Sequence, residues 1–272
     1  MKYVIQNAKL ALVYSILLGY VVLWSGVYPY TAHGEAAPVD TVSEGVHWRC
    51  ITERGPIHIW APFDFQRSNA GVVIFVHGYS VNVDEAWRTF TLADQFRMSE
   101  RNAVFIVPEA PSEHGDSVIW SRLDDLRNAV RTCGIFLPGG SWVIIGHSGA
   151  YRTIQGWVRD RQIRHLILLD ALYAKHEQFE KFLNRPGTKM TLISTETSEQ
   201  SLQFIENFHY AVKRHDIPPH LNAFTLDERR ARLLYVKSQY NHQTIVTNQK
   251  VIPLTLRLTR LSPLHIAWPE HD

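Results

Sequence analysis

The sequence predicts an α/β fold, a mainly parallel sheet with helices on both faces, and three observations carry that reading. After residue 40, short apolar runs alternate with amphipathic stretches of helical length, the pattern of strand–helix–strand units. Several runs, VVIFV at 72–76, AVFIV at 103–107 and WVII at 142–145, are apolar at every position rather than at alternate ones, as strands covered on both faces must be. The chain has 272 residues, 45% hydrophobic and 20% charged, with a net charge of +2. That is the composition of a globular protein, long enough for one large α/β unit.

The elements follow in order. HWRCI (47–51) and PIHIWAPF (56–63) flank the turn Glu53-Arg54-Gly55-Pro56 and predict a hairpin. The run at 72–80 is a buried strand ending in a glycine turn. A helix is expected over 84–98, with Ala86, Phe90, Leu92, Phe96 and Met98 as its apolar content. Residues 102–111 form the next strand, stopped by Pro108 and Pro111. A helix over 123–134 carries Leu126, Val130 and Cys133 on one face. SWVIIGHSGA (141–150) is a strand running straight into a helix. Three more strands are expected at 165–173, 189–198 and 232–239, with helices between them at about 176–184 and 199–214. The tail 251–261 has both a strand-like and a helix-like leucine pattern, and the architecture favours a helix.

Residues 1–36 stand apart. Lys2 and Lys9 precede a stretch, Leu10 to Gly34, without Asp, Glu, Lys or Arg, followed by Ala36 and Ala37. This is the three-part plan of a secretory signal peptide. An uncleaved anchor formed by residues 10–32 is the alternative, since about 20 apolar residues span a bilayer. Either reading places residues 37–272, one domain, outside the cytoplasm, in the periplasm or secreted. Composition also excludes classes. No basic tract marks a nucleic-acid binder. Two cysteines support neither a disulfide-dense scaffold nor a four-cysteine zinc site. No pair of histidines has zinc spacing and no glycine-rich phosphate loop opens a helix, so neither metal nor cofactor is implied.

A parallel sheet places its ligand at the carboxyl ends of its strands, and chemistry-bearing residues gather there. Gly146-His147-Ser148-Gly149-Ala150 is a G-x-S-x-G turn with Ala in the last place. Small flanking residues let strand and helix approach while Ser148 is thrust outward as a nucleophile. Acyl transfer also needs two N–H donors for an oxyanion. Gly149 supplies one, and Tyr79, in the turn His77-Gly78-Tyr79, the other. A serine nucleophile needs an imidazole base. His242, just past the last apolar strand, lies at the right sheet edge, whereas the His147 side chain points away from Ser148. A carboxylate must orient the base. Asp170 ends HLILL and is preferred, with Glu196, which follows MTLIST, as the alternative acid. Trp87, Trp120, Tyr151, Leu172, Tyr173 and Tyr240 lie near the mouth in sequence and form either an acyl or aromatic pocket or part of the core. The loop 109–120, with Glu109, Glu113, His114 and Asp116, is expected to be a solvated loop, with a rim of the site as the alternative.

The order and placement of the HGY turn, the GHSGA elbow, the LLD strand end and the late His242 resemble the α/β-hydrolase superfamily over about residues 45–265. The resemblance implies the α/β-hydrolase fold, with an eight-stranded, mostly parallel sheet, and a Ser-His-Asp serine hydrolase. Two departures are visible: Ala150 closes the elbow, and the acid follows the sixth strand where many members place it after the seventh. Only residues 171–188 separate Asp170 from the next strand, so little or no lid is expected. The leading reading is a serine hydrolase acting on a carboxylic ester of a small-molecule or acyl substrate. Amidase or peptidase chemistry, acyl transfer, and a non-catalytic binding protein on the same scaffold are the alternatives. Cys50, in the hairpin, and Cys133, at the end of a crossover helix, are expected too far apart to pair, since a bridge needs Cα atoms within about 7 Å.

Overall fold

The structure is a computed structural model and describes residues 39–264. The signal or anchor segment and its cleavage region lie outside the described residues. Among those described, no helix is long and apolar enough to cross a membrane.

Ten strands form one sheet: β1 (Val39–Val42), β2 (Gly45–Thr52), β3 (Gly55–Pro62), β4 (Gly71–Val76), β5 (Ala103–Pro108), β6 (Trp142–His147), β7 (Ile163–Leu169), β8 (Lys189–Ser194), β9 (Ala211–Arg214) and β10 (Leu233–Lys237). Their order is β1-β2-β3-β5-β4-β6-β7-β8-β10-β9. From β5 to β9 every pairing is parallel; β1, β2 and β3 join antiparallel at one edge. The expected eight strands are all present, and two more correct the count. β1 pairs with β2 just ahead of the expected hairpin. β9 replaces the second half of the helix expected over 199–214, which stops at Ile205. There, pairing with the edge of β10 overrides the local helical pattern.

The continuous apolar strands do cover two faces. In β4, Val72, Ile74 and Val76 join one core and Val73 and Phe75 the other, the period of two that a pleated strand imposes. The first core is closed by the helices Leu123–Thr132, Tyr151–Trp157, His176–Leu183 and Ser198–Ile205. The second is closed by Val83–Thr89, Leu92–Met98 and Val251–Arg257. The single helix expected over 84–98 is therefore two. Thr91, at a left-handed φ of 48°, separates them, and Gln95 Nε2 caps the break by donating to Phe90 O at 2.6 Å. The tail resolves as a helix, with Pro253 in its first turn, where a missing N–H costs nothing.

The expectation of unpaired cysteines is corrected: Cys50 and Cys133 form a disulfide, with Cα atoms 6.2 Å apart. The sheet order explains it. β5 lies beside β3 rather than beyond β4, so the connection leaving β5 starts next to the hairpin. Its helix then packs Leu126 and Val130 into the same core as Cys50 and Ile57.

Trp87 does not face the strand ends, as its sequence position suggested, but stacks on His47 and His58 at 4.6 and 4.8 Å between ring centroids. These rings belong to a hydrogen-bonded chain that fastens the hairpin to the helix Val83–Thr89. His47 Nδ1 lies 2.7 Å from Asp40 Oδ1, His47 Nε2 lies 2.8 Å from His58 Nδ1, and His58 Nε2 lies 2.7 Å from Asp84 Oδ1. Arg49 donates to both Asp84 oxygens and holds that carboxyl down at about 2. Carboxylates only accept, so a ring nitrogen that bonds Asp40 or Asp84 is the donor, and burial lowers His58 to about 4.

Reduction should release two thiols from a protein that shows none when unfolded without reductant. By the loop-closure relation for a separation of 83 residues, Cys133→Ser should cost about 4.5 kcal/mol, read from the shift in denaturant midpoint at constant slope. Two titratable thiols in the untreated protein would contradict the bridge.

Candidate active site

Five strand ends converge at one edge. β6 ends at His147 and delivers Ser148; β4 ends at Val76 and delivers His77-Gly78-Tyr79; β7 ends at Leu169 and delivers Asp170; β8 delivers the turn 195–197; and His242 lies past β10. His147 and Leu169 are register partners, so Ser148 and Asp170 occupy matching places just beyond two adjacent strands. Both take a left-handed backbone, with φ of 53° and 50°. A non-glycine residue pays on the order of 1–2 kcal/mol for that conformation, and such strain concentrates where side chains must be aimed.

The turn around Ser148 explains its small neighbours. A Cβ on Gly146 would stand 2.3 Å from Ile154 Cδ1, and one on Gly149 would stand 2.5 Å from the Tyr79 ring. A Cβ on Gly78 would meet Ser148 Cβ at 2.5 Å, which sets the loop after β4 directly against the serine. Ala150, the departure from a final glycine, is buried in the core, where its methyl group is accommodated. The N–H groups of Tyr79 and Gly149 are not engaged by a protein acceptor among the described residues.

The Asp170 carboxylate is fully buried. Its Oδ1 accepts from Thr195 N, Thr197 N and Thr197 Oγ1, each at 2.9 Å. Its Oδ2 accepts from Glu196 N at 3.1 Å and lies 2.7 Å from His242 Nδ1. Burial pushes this carboxyl up, but the His242 hydrogen bond and those from Thr197 and Thr195 outweigh it and hold the group well below the usual carboxylate range. In turn, the bond to Asp170 raises His242 above its ordinary 6.5 against the opposing pull of burial. Because the carboxylate only accepts, His242 Nδ1 carries its proton and Nε2 is left as the basic nitrogen. Glu196 is exposed and its Oε2 stands 3.7 Å from His242 Nδ1. Ser148 and His242 make no direct hydrogen bond among the described residues; in free enzymes such contacts are often long and tighten with substrate.

Asp170, Glu196 and His242 also offer ligand atoms within 4.8 Å of one another. The donor set does not fit a cation. Both Asp170 oxygens are already saturated by N–H and O–H donors, and the facing His242 nitrogen bears a proton.

Two histidines to which the sequence assigned no role of their own hold the frame. His147 Nε2 donates to the His242 carbonyl at 3.0 Å, and their rings lie 4.6 Å apart. Burial, then the neighbouring His242, lowers His147 to about 3, so it acts as a neutral donor. His77 lies within 2.8 Å of Gly78 O through Nδ1 and accepts Ala110 N–H at Nε2 at 3.0 Å, pinning the loop that carries Tyr79. The only sequence signal was a histidine at each strand end. Arg152 ties the rim together by donating to Tyr79 Oη, His114 O and Asp116 O. The loop 109–120 is thus a fastened rim, its turn closed by Asp116 Oδ2 accepting from Ser112 N and Glu113 N.

The proposed pocket residues separate. Tyr151 and Tyr173 pair at the mouth with ring centroids 6.0 Å apart. The Tyr173 phenol donates to Glu196 Oε2 at 3.4 Å. Burial first, then the Asp170 and Glu196 carboxylates, raises its ionisation. Trp120 and Leu172 are core residues instead, and Tyr240 packs against the opposite core. Their apolar surface is better spent inside the sheet–helix layers than at an open rim.

Sheet order, elbow and strand-end placement define the α/β-hydrolase fold. Solved structures agree on that fold. The chain matches an S-formylglutathione hydrolase from Agrobacterium tumefaciens at a TM-score of 0.55 and 9% identity, covering 83% of this chain and 99% of that one. It matches a feruloyl esterase module from Clostridium thermocellum at 0.54 and 10%, covering 89% and 99%. An S-formylglutathione hydrolase from Staphylococcus aureus aligns at 0.51 and 11%, covering 84% and 100%. No family model and no curated protein matches the sequence.

The Asp170–His242 bond fixes two outcomes. Asp170→Asn should lower turnover on the order of 10⁴-fold by favouring the wrong imidazole tautomer, whereas Glu196→Gln should change it less than tenfold. If neutral His242 is the base, kcat/KM should rise with pH through a group lying above the ordinary imidazole value of 6.5, and this limb should move down in Asp170→Asn. A reversed ranking of the two variants in a pH–rate profile would assign the acid to Glu196.

Proposed function

We propose that this protein is a serine hydrolase that cleaves carboxylic esters through an acyl-enzyme on Ser148. The observation that carries the reading is the pairing of a buried Asp170 carboxylate with His242 Nδ1 at 2.7 Å, at the sheet edge where Ser148 stands on a strained turn. In the first step Ser148 Oγ attacks the acyl carbonyl, and its proton passes to His242 Nε2. The negative charge forming on the carbonyl oxygen is met by the backbone donors Tyr79 N–H and Gly149 N–H. The tetrahedral intermediate collapses as His242 returns the proton to the leaving alcohol. Water, deprotonated by the same ring, then attacks the ester of Ser148, and a second collapse releases the acid and restores the hydroxyl. Asp170 keeps its charge throughout and stabilises the imidazolium. The Tyr151–Tyr173 pair borders the acyl or alcohol side of the substrate. That the S-formylglutathione hydrolases and the feruloyl esterase module share the fold supports a small-molecule ester as the substrate class.

A fluorophosphonate probe should label wild type and not Ser148→Ala. A panel of esters and amides of graded acyl length should show ester turnover reduced at least ~10³-fold in that variant. Full turnover by a folded Ser148→Ala protein would refute the mechanism.

We also propose that the enzyme works outside the cytoplasm. The apolar segment following Lys9 supports export, and the Cys50–Cys133 bridge supports an oxidising compartment. Residues 1–40 fused to a reporter active only outside the cytoplasm should give activity. Mass analysis of the mature chain should find its first residue near Glu35 or Ala37; an intact Met1 would instead assign residues 10–32 as an anchor, and a silent reporter would refute export.

A further inference from the structure

The ring chain along the antiparallel edge, which the proposed chemistry does not use, holds one proton more than two neutral histidines supply. Asp40 lies on β1, His47 on β2, His58 on β3 and Asp84 on the helix Val83–Thr89. Three contacts join them in turn, at 2.7, 2.8 and 2.7 Å, and each needs a hydrogen between its two heavy atoms. Carboxylates only accept, so His47 Nδ1–H serves Asp40 and His58 Nε2–H serves Asp84. Two neutral rings would then set bare lone pairs against each other at His47 Nε2 and His58 Nδ1. Their 2.8 Å separation calls for a third proton, so one ring is an imidazolium.

Charge balance says which ring it is. Asp84 already has its cation, because Arg49 donates to both carboxylate oxygens at 2.7 and 2.6 Å. A further positive charge on His58 would face that guanidinium across one carboxylate. Asp40 makes its ion pair among the described residues with His47. His58 is also the more buried of the two side chains, 4% exposed against 9% for His47. Burial holds His58 down at about 4, and charges on His47 and Arg49 push the same way. His47 lies flat on Trp87, with ring centroids 4.6 Å apart and planes within 11°, where an imidazolium gains from the indole π face.

We propose that His47 carries two protons and that this chain is a pH-operated latch on the first strand. β1 has four residues, stands at the sheet edge and pairs with β2 alone, so side-chain bonds weigh heavily in its attachment. Asp40 and His47 are register partners. With both protons, His47 donates to Asp40 and His58 at once. Loss of either proton leaves a lone pair facing an acceptor, and Asp40, whose side chain is exposed, is the partner free to swing away. The two bonds exist together only on the charged ring, so their contribution is present at acid pH and disappears as pH rises. The groups facing His47 are Asp40 from β1, His58 from β3, Trp87 and, beyond His58, Asp84 from the helix, with Arg49 on its own strand. Asp84, held at about 2, stays ionised and His58 stays neutral on both sides of the ordinary imidazole range, so the change belongs to His47.

The test follows imidazole ¹⁵N shifts and the amide-exchange protection of β1, corrected for intrinsic rates, in the full chain at about pH 5.5 and about pH 8.5, either side of the ordinary imidazole value. At the lower pH both His47 nitrogens should report a bound proton and His58 a single one. Protection of β1 should fall about tenfold at the higher pH, the loss of one charge-assisted hydrogen bond. Asp40→Asn should give equal protection at the two pH values, because an amide accepts from the protonated ring and donates to the bare one. His47→Gln, whose amide N–H takes the place of the ring Nε2–H towards His58, should leave β1 loose at both. Asp40 is exposed, so its variant keeps the fold even if His47→Gln does not. A second proton found on His58 instead of His47, β1 protection indifferent to pH, or a fall that survives Asp40→Asn would each overturn the latch.

Discussion

The buried Asp170 carboxylate is the constraint around which the candidate site is organised. A charge without solvent is tolerable only if its lone pairs are taken up, and here five donors take them. Three are backbone N–H groups of the 195–197 turn, one is the Thr197 hydroxyl, and the last is His242. The first four are fixed by the chain itself. Asp170 N donates to Ile193 O at 2.7 Å, extending the β7–β8 pairing by one residue and carrying the turn after β8 around the carboxylate. The imidazole is therefore oriented by an anion that cannot move, and the basic nitrogen follows from that orientation.

Strain and close packing complete the arrangement. Ser148 and Asp170 adopt left-handed backbones one step beyond paired strands, and neither conformation would persist in an isolated peptide. The sheet register holds them from one side, and the glycines at 78, 146 and 149 let neighbouring chain segments approach from the other. His147 performs a complementary task from within the elbow, donating to the His242 carbonyl so that the loop and the Ser148 turn are one unit.

The antiparallel edge is secured by different means. Its rigidity comes from the Cys50–Cys133 bridge and from the histidine chain between Asp40 and Asp84, capped by the Trp87 stack. Both devices join segments distant in sequence.

The sequence by itself determined the layers and the direction of the strands, because continuous apolar runs alternating with amphipathic segments have few other ways to be buried. It determined the elbow at Ser148 as well, since small residues around a serine between strand and helix are a local steric requirement. It singled out Asp170 and His242 as candidates because polar residues closing apolar strands must emerge at one edge. What the tertiary structure decided is everything set by strand order and by long-range pairing. The β3-β5-β4 order brings Cys133 to Cys50; pairing with β10 turns residues 211–214 from helix into strand; and the register of β7 on β8 wraps the 195–197 turn around Asp170 while leaving Glu196 outside. Trp87, Trp120, Leu172 and Tyr240 illustrate the same limit: their proximity to strand ends in sequence does not say which face of a layer they occupy. Local sequence specifies the conformation of a segment, whereas a distance between two segments depends on which strands become neighbours, a choice made by the burial of the whole sheet at once.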